Sequence, residues 1–347
     1  MSCEILLVMT GGTICCTEDS VTHKRNTNAD SAKSKITKNF LLSDSGYASN
    51  VLFDEFIPID ILSENMTLDR LNVLVDFLRG KITTKDYKGI VLLHGTDTPA
   101  FTSSLLSLLL CGIDVPVFIV TSHSPLDNPD TNGNDNFRIS VELIMNGIAP
   151  NVYFVYKNTD GRVFLHYGAH LPQCCSYSND FYSRTAVLID ENNPCEKGIR
   201  FETDTALINK LQRLSGRVLQ ITPYVGIDYS AFCLDNVNAV VHETFHSQTA
   251  CAEVDSLCDS YSENSVLSLI ERCNKRNIPF ILSPCSEESF KYESTSLLLQ
   301  SGAVPVYGMT KEMTYIKTLV GISLGLNNKD LTDFLNTSFN REFTARF

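Results

Sequence analysis

Short apolar runs alternate with helix-patterned segments along the first half of this chain. Apolar runs with the length of buried strands cover residues 5–9, 51–61, 91–93 and 115–121. The last three are each followed by a segment with helical spacing: a helix capped by Thr67, a helix at 99–112 and a helix at 137–147. Further on, a turn signal around 158–161 predicts a hairpin between strands at 152–155 and 162–165. Alternating strands and helices of this kind indicate an α/β protein with a largely parallel sheet.

The same alternation resumes in the second half after a looser, more polar interval. Predicted strands lie at 218–221, 239–242, 279–282 and 304–307, with predicted helices at 262–275, 287–300 and 311–325. A chain of 347 residues usually exceeds a single hydrophobic core. We therefore predict a larger N-terminal domain with a doubly wound sheet (1–190), a linker (191–216) and a smaller C-terminal parallel α/β domain (217–347).

Charge and cysteine content narrow the functional classes. The chain has 28 basic and 40 acidic residues, a net charge of −12, which weighs against nucleic acid or an anionic membrane as the main partner. No segment approaches the roughly 20 apolar residues that span a bilayer, and no secretory signal is visible. The 12 cysteines include the adjacent pairs Cys15-Cys16 and Cys174-Cys175 but no CxxC motif, so we expect reduced thiols and a cytoplasmic protein.

Polar residues whose side chains could take part in binding or catalysis follow the apolar run at 91–93. His94 and Gly95 lead into Thr96-Asp97-Thr98, at the point where a strand feeds a helix. Ligands bind at such carboxyl ends of strands in open α/β sheets. Thr and Asp are also common helix caps, and on these residues alone a cap is the more frequent use.

A second stretch repeats this design near the N-terminus. The apolar run at 5–9 leads into Thr10-Gly11-Gly12-Thr13-Ile14, in which paired glycines permit a close approach of the backbone to a ligand. Together the two stretches resemble the TGGTI and HGTDT signatures of the L-asparaginase family, in the bacterial-type cytoplasmic form. The resemblance extends over nearly the whole chain.

The resemblance implies a reaction and a set of residues for it. It implies that Thr13 is the nucleophile in the hydrolysis of L-asparagine to L-aspartate and ammonia, assisted by Thr96 and Asp97. It also implies substrate contacts, which would come from Gly12, Ser63, Glu64 and Gly95. No metal or organic cofactor is implied, and family members are homodimers or homotetramers. Glu64 is equally well explained as a solvated residue before a helix.

The chain departs from the family at two places. The polar stretch 17–49 stands where the family has a flexible lid that often carries a tyrosine, and its first tyrosine, Tyr47, is too distant to fill that role; by itself the stretch reads as a mobile surface loop. Gln173 stands where the family has a lysine that relays protons with the HGTDT pair, and Lys157 is a candidate substitute. These departures keep open a catalytically silent protein that binds asparagine or aspartate.

The motif His242-Glu243-Thr244-Phe245-His246 matches the HExxH zinc signature of metallopeptidases. The motif follows a strand-like run, and residues four apart on a strand are about 13 Å from one another, too far to share a zinc ion. A zinc peptidase is therefore a distant third interpretation. A component of a tRNA-dependent amidotransferase, a related class, is disfavoured by the acidic charge and by the lack of room for an extra domain.

Overall fold

The computed structural model describes residues 3–19, 21–22, 24–190, 205–255 and 260–344. The chain forms two compact units, Met1–Thr205 and Ala206–Phe347. Most of the predicted linker, residues 191–204, lies outside the described residues. None of the helices in the described ranges has the length and apolar character needed to cross a bilayer.

The first unit is built on a seven-stranded sheet. Its elements, in chain order, are β1 (Cys3–Met9), β2 (Cys16–Glu18), β3 (Arg25–Thr27), α1 (Ala29–Leu41), β4 (Val51–Phe56), α2 (Leu68–Thr84), β5 (Gly89–Leu93), α3 (Pro99–Leu109), β6 (Val117–Val120), α4 (Gly133–Met145), β7 (Val152–Lys157), β8 (Val163–Tyr167) and β9 (Val187–Ile189). The sheet order is β4-β1-β5-β6-β7-β8-β9, parallel from β4 to β7 and antiparallel beyond. This confirms the predicted α/β fold class, and the hairpin of β7 and β8 is also confirmed.

The apolar runs form the central strands because both faces of the sheet are covered. On one face Ile5 and Leu7 of β1 belong to a core cluster with Ile36 of α1 and Val141 of α4. The strand β5 is buried along its full length. Helix α2 begins as predicted, with the side chain of Thr67 accepting a hydrogen bond from the backbone N–H of Arg70.

The prediction of a mobile loop at 17–49 is wrong. The antiparallel strands β2 and β3 are followed by the 13-residue helix α1, whose buried residues are Ala29, Ala32, Ile36 and Phe40. This spacing places them on one face of the helix. Asn28 caps the helix through a hydrogen bond from the backbone N–H of Ser31.

The second unit contains a separate, fully parallel sheet. Its elements are β10 (Val218–Ile221), β11 (Ala239–His242), β12 (Val254–Asp255), β13 (Ser260–Tyr261), α5 (Val266–Lys275), β14 (Phe280–Cys285), α6 (Glu293–Gln300), β15 (Val304–Tyr307), α7 (Lys311–Ser323) and α8 (Asn328–Asn336). The four-stranded sheet has the order β10-β11-β14-β15. This confirms the predicted smaller parallel sheet. The helix predicted at 287–300 is instead a 3-10 turn, Glu287–Lys291, followed by α6.

A buried ion pair within the second unit joins Glu342 to helix α7. Lys317 of α7 and Glu342 are both fully buried, with Nζ 2.5 Å from Oε1. The ammonium also donates to the carbonyl oxygens of Leu335 at 3.1 Å and Thr337 at 2.6 Å. Glu342 in turn accepts the backbone N–H groups of Phe339 and Asn340. A buried charge needs such a complete set of partners.

Candidate active site

The two glycine-containing motifs lie side by side because their strands are neighbours. β1 and β5 pair in parallel with Met9 opposite Leu93, so the loops that leave them emerge at the same edge of the sheet. Thr10 secures this junction: its backbone N–H and its hydroxyl both donate to the carbonyl oxygen of Leu93, at 3.0 and 2.9 Å. The site therefore begins at a carboxyl edge of a parallel sheet, where α/β proteins bind ligands.

Gly12 and Gly95 are in direct backbone contact. A Cβ atom on Gly12 would lie 2.1 Å from the Cα of Gly95, and one on Gly95 would lie 2.3 Å from the Oγ of Ser63. Gly12 also has φ of +76°, a conformation that side chains other than hydrogen rarely permit. Neither glycine position therefore has room for a side chain. Thr13 and Thr96 are the residues that follow these two glycines.

Ser63 and the Thr96–Thr98 turn are joined by three hydrogen bonds. The hydroxyl of Ser63 donates to Oδ2 of Asp97 at 3.0 Å and accepts the backbone N–H of Asp97 at 3.2 Å. The hydroxyl of Thr98 donates to the carbonyl oxygen of Ser63 at 3.0 Å. Ser63 is buried, whereas its neighbour Glu64 is exposed. Ser63 is therefore part of the same polar cluster as Asp97.

His94 forms hydrogen bonds that hold the turn at Gly95 against helix α3. Its ring is fully buried, with Nδ1 2.9 Å from the carbonyl oxygen of Gly95 and Nε2 2.9 Å from the hydroxyl of Thr102. Burial lowers the pKa of His94 to about 4, so the ring is neutral near pH 7. In the neutral form Nδ1–H donates to Gly95 and Nε2 accepts from Thr102. His94 is thus a positioning residue that the sequence motif alone did not assign.

A cavity of about 380 Å³ opens beside the turn. Thr96 and Asp97 line it on one side. Its other lining residues are His123, Tyr156, Gln173, Cys174, Cys175, Ser176, Tyr177, Ser178, Asn179 and Phe181. Thr13, Ser63 and Glu64 are not among the residues that line it. The structure therefore brings Thr96 and Asp97 to this cavity and keeps Thr13 at the glycine contact, where it is half-buried.

Gln173 lines the cavity, whereas the candidate substitute Lys157 and the distant Tyr47 do not. The side-chain amide of Gln173 donates from Nε2 to the backbone carbonyl oxygen of Asp97. The ammonium of Lys157 is instead 2.7 Å from Oδ2 of Asp135. Tyr47 packs against the core of the first unit and its hydroxyl donates to Asn146. The position aligned with the relay lysine is thus occupied by an amide that holds the backbone of the Asp97 turn.

The HExxH motif does not form a helix. His242 is the last residue of β11, fully buried, with Nε2 2.8 Å from the hydroxyl of Tyr229. His246 is exposed in the turn that follows. The two imidazoles therefore do not share a helical face as the zinc signature requires. Across the described ranges, no group of three or more His, Cys, Asp or Glu residues is arranged to hold a metal ion.

The fold and the site together define a class: an α/β protein whose hydroxyls and a carboxylate meet where two parallel strands end, an arrangement suited to acyl transfer from an amide. The family model "Asparaginase, N-terminal" matches residues 4–182. The chain belongs to the asparaginase family of amidohydrolases.

Individual relatives carry two different names. The chain is 29% identical over 135 residues to a glutamyl-tRNA(Gln) amidotransferase subunit from Methanopyrus kandleri, covering 38% of this chain and 28% of that relative. It is 33% identical over 100 residues to the L-asparaginase of Thermococcus kodakarensis, covering 28% of this chain and 30% of that enzyme. These sequence matches therefore span less than a third of the length of each of these two relatives.

The fold is similar to that of solved L-asparaginase structures. The thermostable L-asparaginase from Thermococcus kodakarensis superposes with a TM-score of 0.73 at 18% identity, covering 99% of each chain. At that identity the likeness concerns the fold. It agrees with the architecture of two α/β units described above.

Proposed function

We propose that this chain hydrolyses L-asparagine to L-aspartate and ammonia, with Thr13 as the nucleophile. The observation that supports it best is the backbone contact between Gly12 and Gly95, because each of these glycines is followed directly by one of the two threonines. The hydroxyl oxygen of Thr13 would attack the side-chain carbonyl carbon, the C–N bond would break and ammonia would leave. Water would then hydrolyse the acyl-enzyme and release aspartate.

The remaining site residues have separate roles in this proposal. Thr96 and Asp97, which line the cavity, bind the substrate and move protons. Gly12, Gly95 and Ser63 shape the loop against which the substrate lies, with backbone N–H groups near Gly95 as donors to the oxyanion. Glu64, which is exposed, is available to the cationic α-amino group. No metal or organic cofactor takes part in these steps.

The proton path is the unusual part of the proposal. A neutral lysine accepts a proton from a hydroxyl, whereas the amide of Gln173 does not act as a base. Lys157 is engaged by Asp135 and does not line the cavity. We therefore assign the role of base to Asp97, whose carboxylate is oriented by Ser63.

Ammonia release from L-asparagine tests the proposal. We expect Thr13→Ala and Thr96→Val each to lower kcat by about 100-fold or more, the scale of losing one catalytic group. Thr83→Val is the matched control, because Thr83 is an exposed hydroxyl that bonds within helix α2. Wild-type activity in Thr13→Ala would show that another group is the nucleophile.

A catalytically silent binder is the alternative that Gln173 favours. Such a protein would show an aspartate-induced rise in Tm but no ammonia release from asparagine over hours. The zinc-peptidase interpretation is disfavoured by the strand geometry of the HExxH motif.

The matches to amidotransferase components favour a further candidate. Relatives from Methanopyrus kandleri, Methanococcus maripaludis and Aeropyrum pernix carry that name, although this chain spans only 28%, 46% and 61% of their lengths. The proposal of an asparaginase predicts a higher kcat/KM for L-asparagine than for L-glutamine. Hydrolysis of glutamine alone, stimulated by a charged tRNA, would favour the amidotransferase role instead.

Assembly and location complete the proposal. We expect a homodimer or homotetramer in the cytoplasm, without nucleic acid or a membrane as partner. Light scattering after size-exclusion chromatography measures the assembly, and a monomer of 38.6 kDa at micromolar concentration would contradict it.

A further inference from the structure

We propose that the adjacent thiols Cys174 and Cys175 are a modification site, oxidised by hydrogen peroxide to a reversible disulfide that alters the loop against Asp97. These two thiols can react in this way whether or not the chain hydrolyses asparagine. Both cysteines line the cavity that Thr96 and Asp97 line. None of the roles proposed above uses either thiol.

The two thiols differ in a way that suits a stepwise oxidation. Cys175 is exposed, so a small oxidant reaches it from the solvent. Cys174 is half-buried, and its Sγ–H group is 3.3 Å from the carbonyl oxygen of Ser178 and 3.1 Å from that of Asp180. Burial raises the pKa of the Cys174 thiol, which favours Cys175 as the first thiol to react.

The chemistry balances with peroxide as the two-electron oxidant. The Cys175 thiolate attacks one peroxide oxygen, an S–O bond forms, the O–O bond breaks and hydroxide leaves. The Cys174 sulfur then attacks the resulting sulfenic acid, the S–S bond forms and water leaves with the proton of the thiol. The net reaction converts two thiols and one hydrogen peroxide into one disulfide and two waters.

A disulfide at these positions is expected to be easily reduced. The Cα atoms of adjacent residues are about 3.8 Å apart, whereas disulfides usually join Cα atoms about 4.4–6.8 Å apart. Such a bond is strained, and strained disulfides are the labile ones. A cytoplasmic reductant would therefore restore the thiols.

Oxidation would change the hydrogen bonds that support the Asp97 turn. A disulfide sulfur has no hydrogen to donate, so Cys174 would lose both contacts that anchor the loop to Ser178 and Asp180. The residue before it, Gln173, donates to the backbone of Asp97. Loosening Cys174 therefore changes the support of the Asp97 turn.

The chain contains its own control for this chemistry. Cys15 and Cys16 are also adjacent, but both are buried. Burial raises the pKa of Cys15 well above its ordinary value and that of Cys16 to about 11. The same sequence feature in a buried setting should therefore not react.

The test combines mass spectrometry with hydrogen exchange on the whole chain. After treatment with hydrogen peroxide and then alkylation, we expect the peptide with Cys174–Cys175 to lose about 2 Da, the mass of two hydrogens. The peptide with Cys15–Cys16 should show no such loss. Dithiothreitol should restore the mass of the first peptide fully. Cys175→Ser and Cys174→Ser should abolish it. Amide exchange at residues 96–98 should quicken at least about threefold, the factor for roughly 0.6 kcal/mol, in the oxidised wild type only.

Two results would overturn the proposal. One is the absence of a 174–175 disulfide after peroxide treatment that oxidises other exposed thiols such as Cys233. The other is a disulfide that leaves exchange at 96–98 unchanged. Neither measurement uses asparagine, so they stand apart from any failure of the proposed hydrolysis.

Discussion

The hydroxyl of Ser63 holds Asp97 at two points, donating to its Oδ2 at 3.0 Å and accepting its backbone N–H at 3.2 Å. The carboxylate and the peptide plane of Asp97 are thereby oriented by one buried side chain. Because Asp97 is itself exposed at the cavity, this orientation depends on Ser63 more than on packing. Ser63 thus acts on the reaction through Asp97, in addition to the substrate contact proposed for it.

Ser63→Ala should lower kcat by up to about 100-fold, the effect of a misplaced catalytic group. The variant removes both hydrogen bonds to Asp97 while leaving the Gly95 contact unobstructed. Ser34→Ala is the control, because Ser34 is an exposed hydroxyl bonded to Asp30 within α1. Unchanged kcat in a folded Ser63→Ala protein would remove Ser63 from the positioning role.

Gly12→Ala should unfold or inactivate the first unit, and Gly161→Ala should not. Both glycines have positive φ, +76° and +83°, a backbone conformation that residues with a side chain rarely adopt, so both variants are strained. A Cβ on Gly12 would also lie 2.1 Å from the Cα of Gly95, whereas nothing lies within 4 Å of one on Gly161. Urea denaturation measures the difference, which we expect to exceed about 3 kcal/mol. Equal losses in the free energy of unfolding for the two variants would show that the close approach of Gly12 to Gly95 does not contribute to stability.

Glu342→Gln should destabilise the second unit by about 3–5 kcal/mol, because it leaves the buried charge of Lys317 without its partner. The control is Glu271→Gln, in an exposed pair with Lys275, which should cost less than about 0.5 kcal/mol.

Burial alone would raise the pKa of Glu342, but the charge of Lys317 and several hydrogen bonds hold it below its ordinary value. The contribution of Glu342 is therefore present above its unfolded pKa and is lost as the pH falls below it. Denaturation curves at several pH values that show equal losses for both variants would contradict this.

Three buried histidines should make the protein sensitive to mild acid. Burial lowers the pKa of His94, His166 and His242 to about 4 each. Between about pH 6.5 and 4 the unfolded chain takes up protons that the folded chain does not. The free energy of unfolding therefore decreases as the pH is lowered through this range. His166→Gln should reduce this slope by about 1.4 kcal/mol per pH unit, the contribution of one proton. Parallel stability–pH curves for the variant and the wild type would show that His166 is protonated in the folded state.

The sequence predicted most strands of the two main sheets because these strands are short, mainly apolar segments. The strands β10, β11 and β15 begin and end where the pattern predicted. Helix α1 was missed because only Ala29, Ala32, Ile36 and Phe40 of its 13 residues are buried, and two of them are small. Polar residues on the remaining faces made the segment look like a loop. A pattern of four weak positions over three turns is a poor signal without the sheet that it packs against.

The sequence pointed to the two motifs but not to the way they meet. The paired glycines after β1 predicted a close approach of the backbone to a ligand, whereas the contact seen in the structure is between Gly12 and the backbone of Gly95. The supporting residues were not predictable in this way. His94 is a positioning residue because of its burial, which is a property of the packed fold. The hydrogen bond from Gln173 to Asp97 joins positions 76 residues apart, and no local pattern reports it.

The long sequence separations in this site also bear on how the molecule folds. The β1–β5 junction joins Thr10 to Leu93, 83 positions apart, and Gln173 reaches Asp97 from 76 positions further on. Closing a loop of this length costs roughly 4 kcal/mol in chain entropy before any contact repays it. During synthesis at about 5–20 residues per second, the cavity cannot close until several seconds after both threonine motifs have been made. The nascent chain thus carries its hydroxyls long before it carries a site, and contacts of such high sequence separation predict slow folding of the first unit.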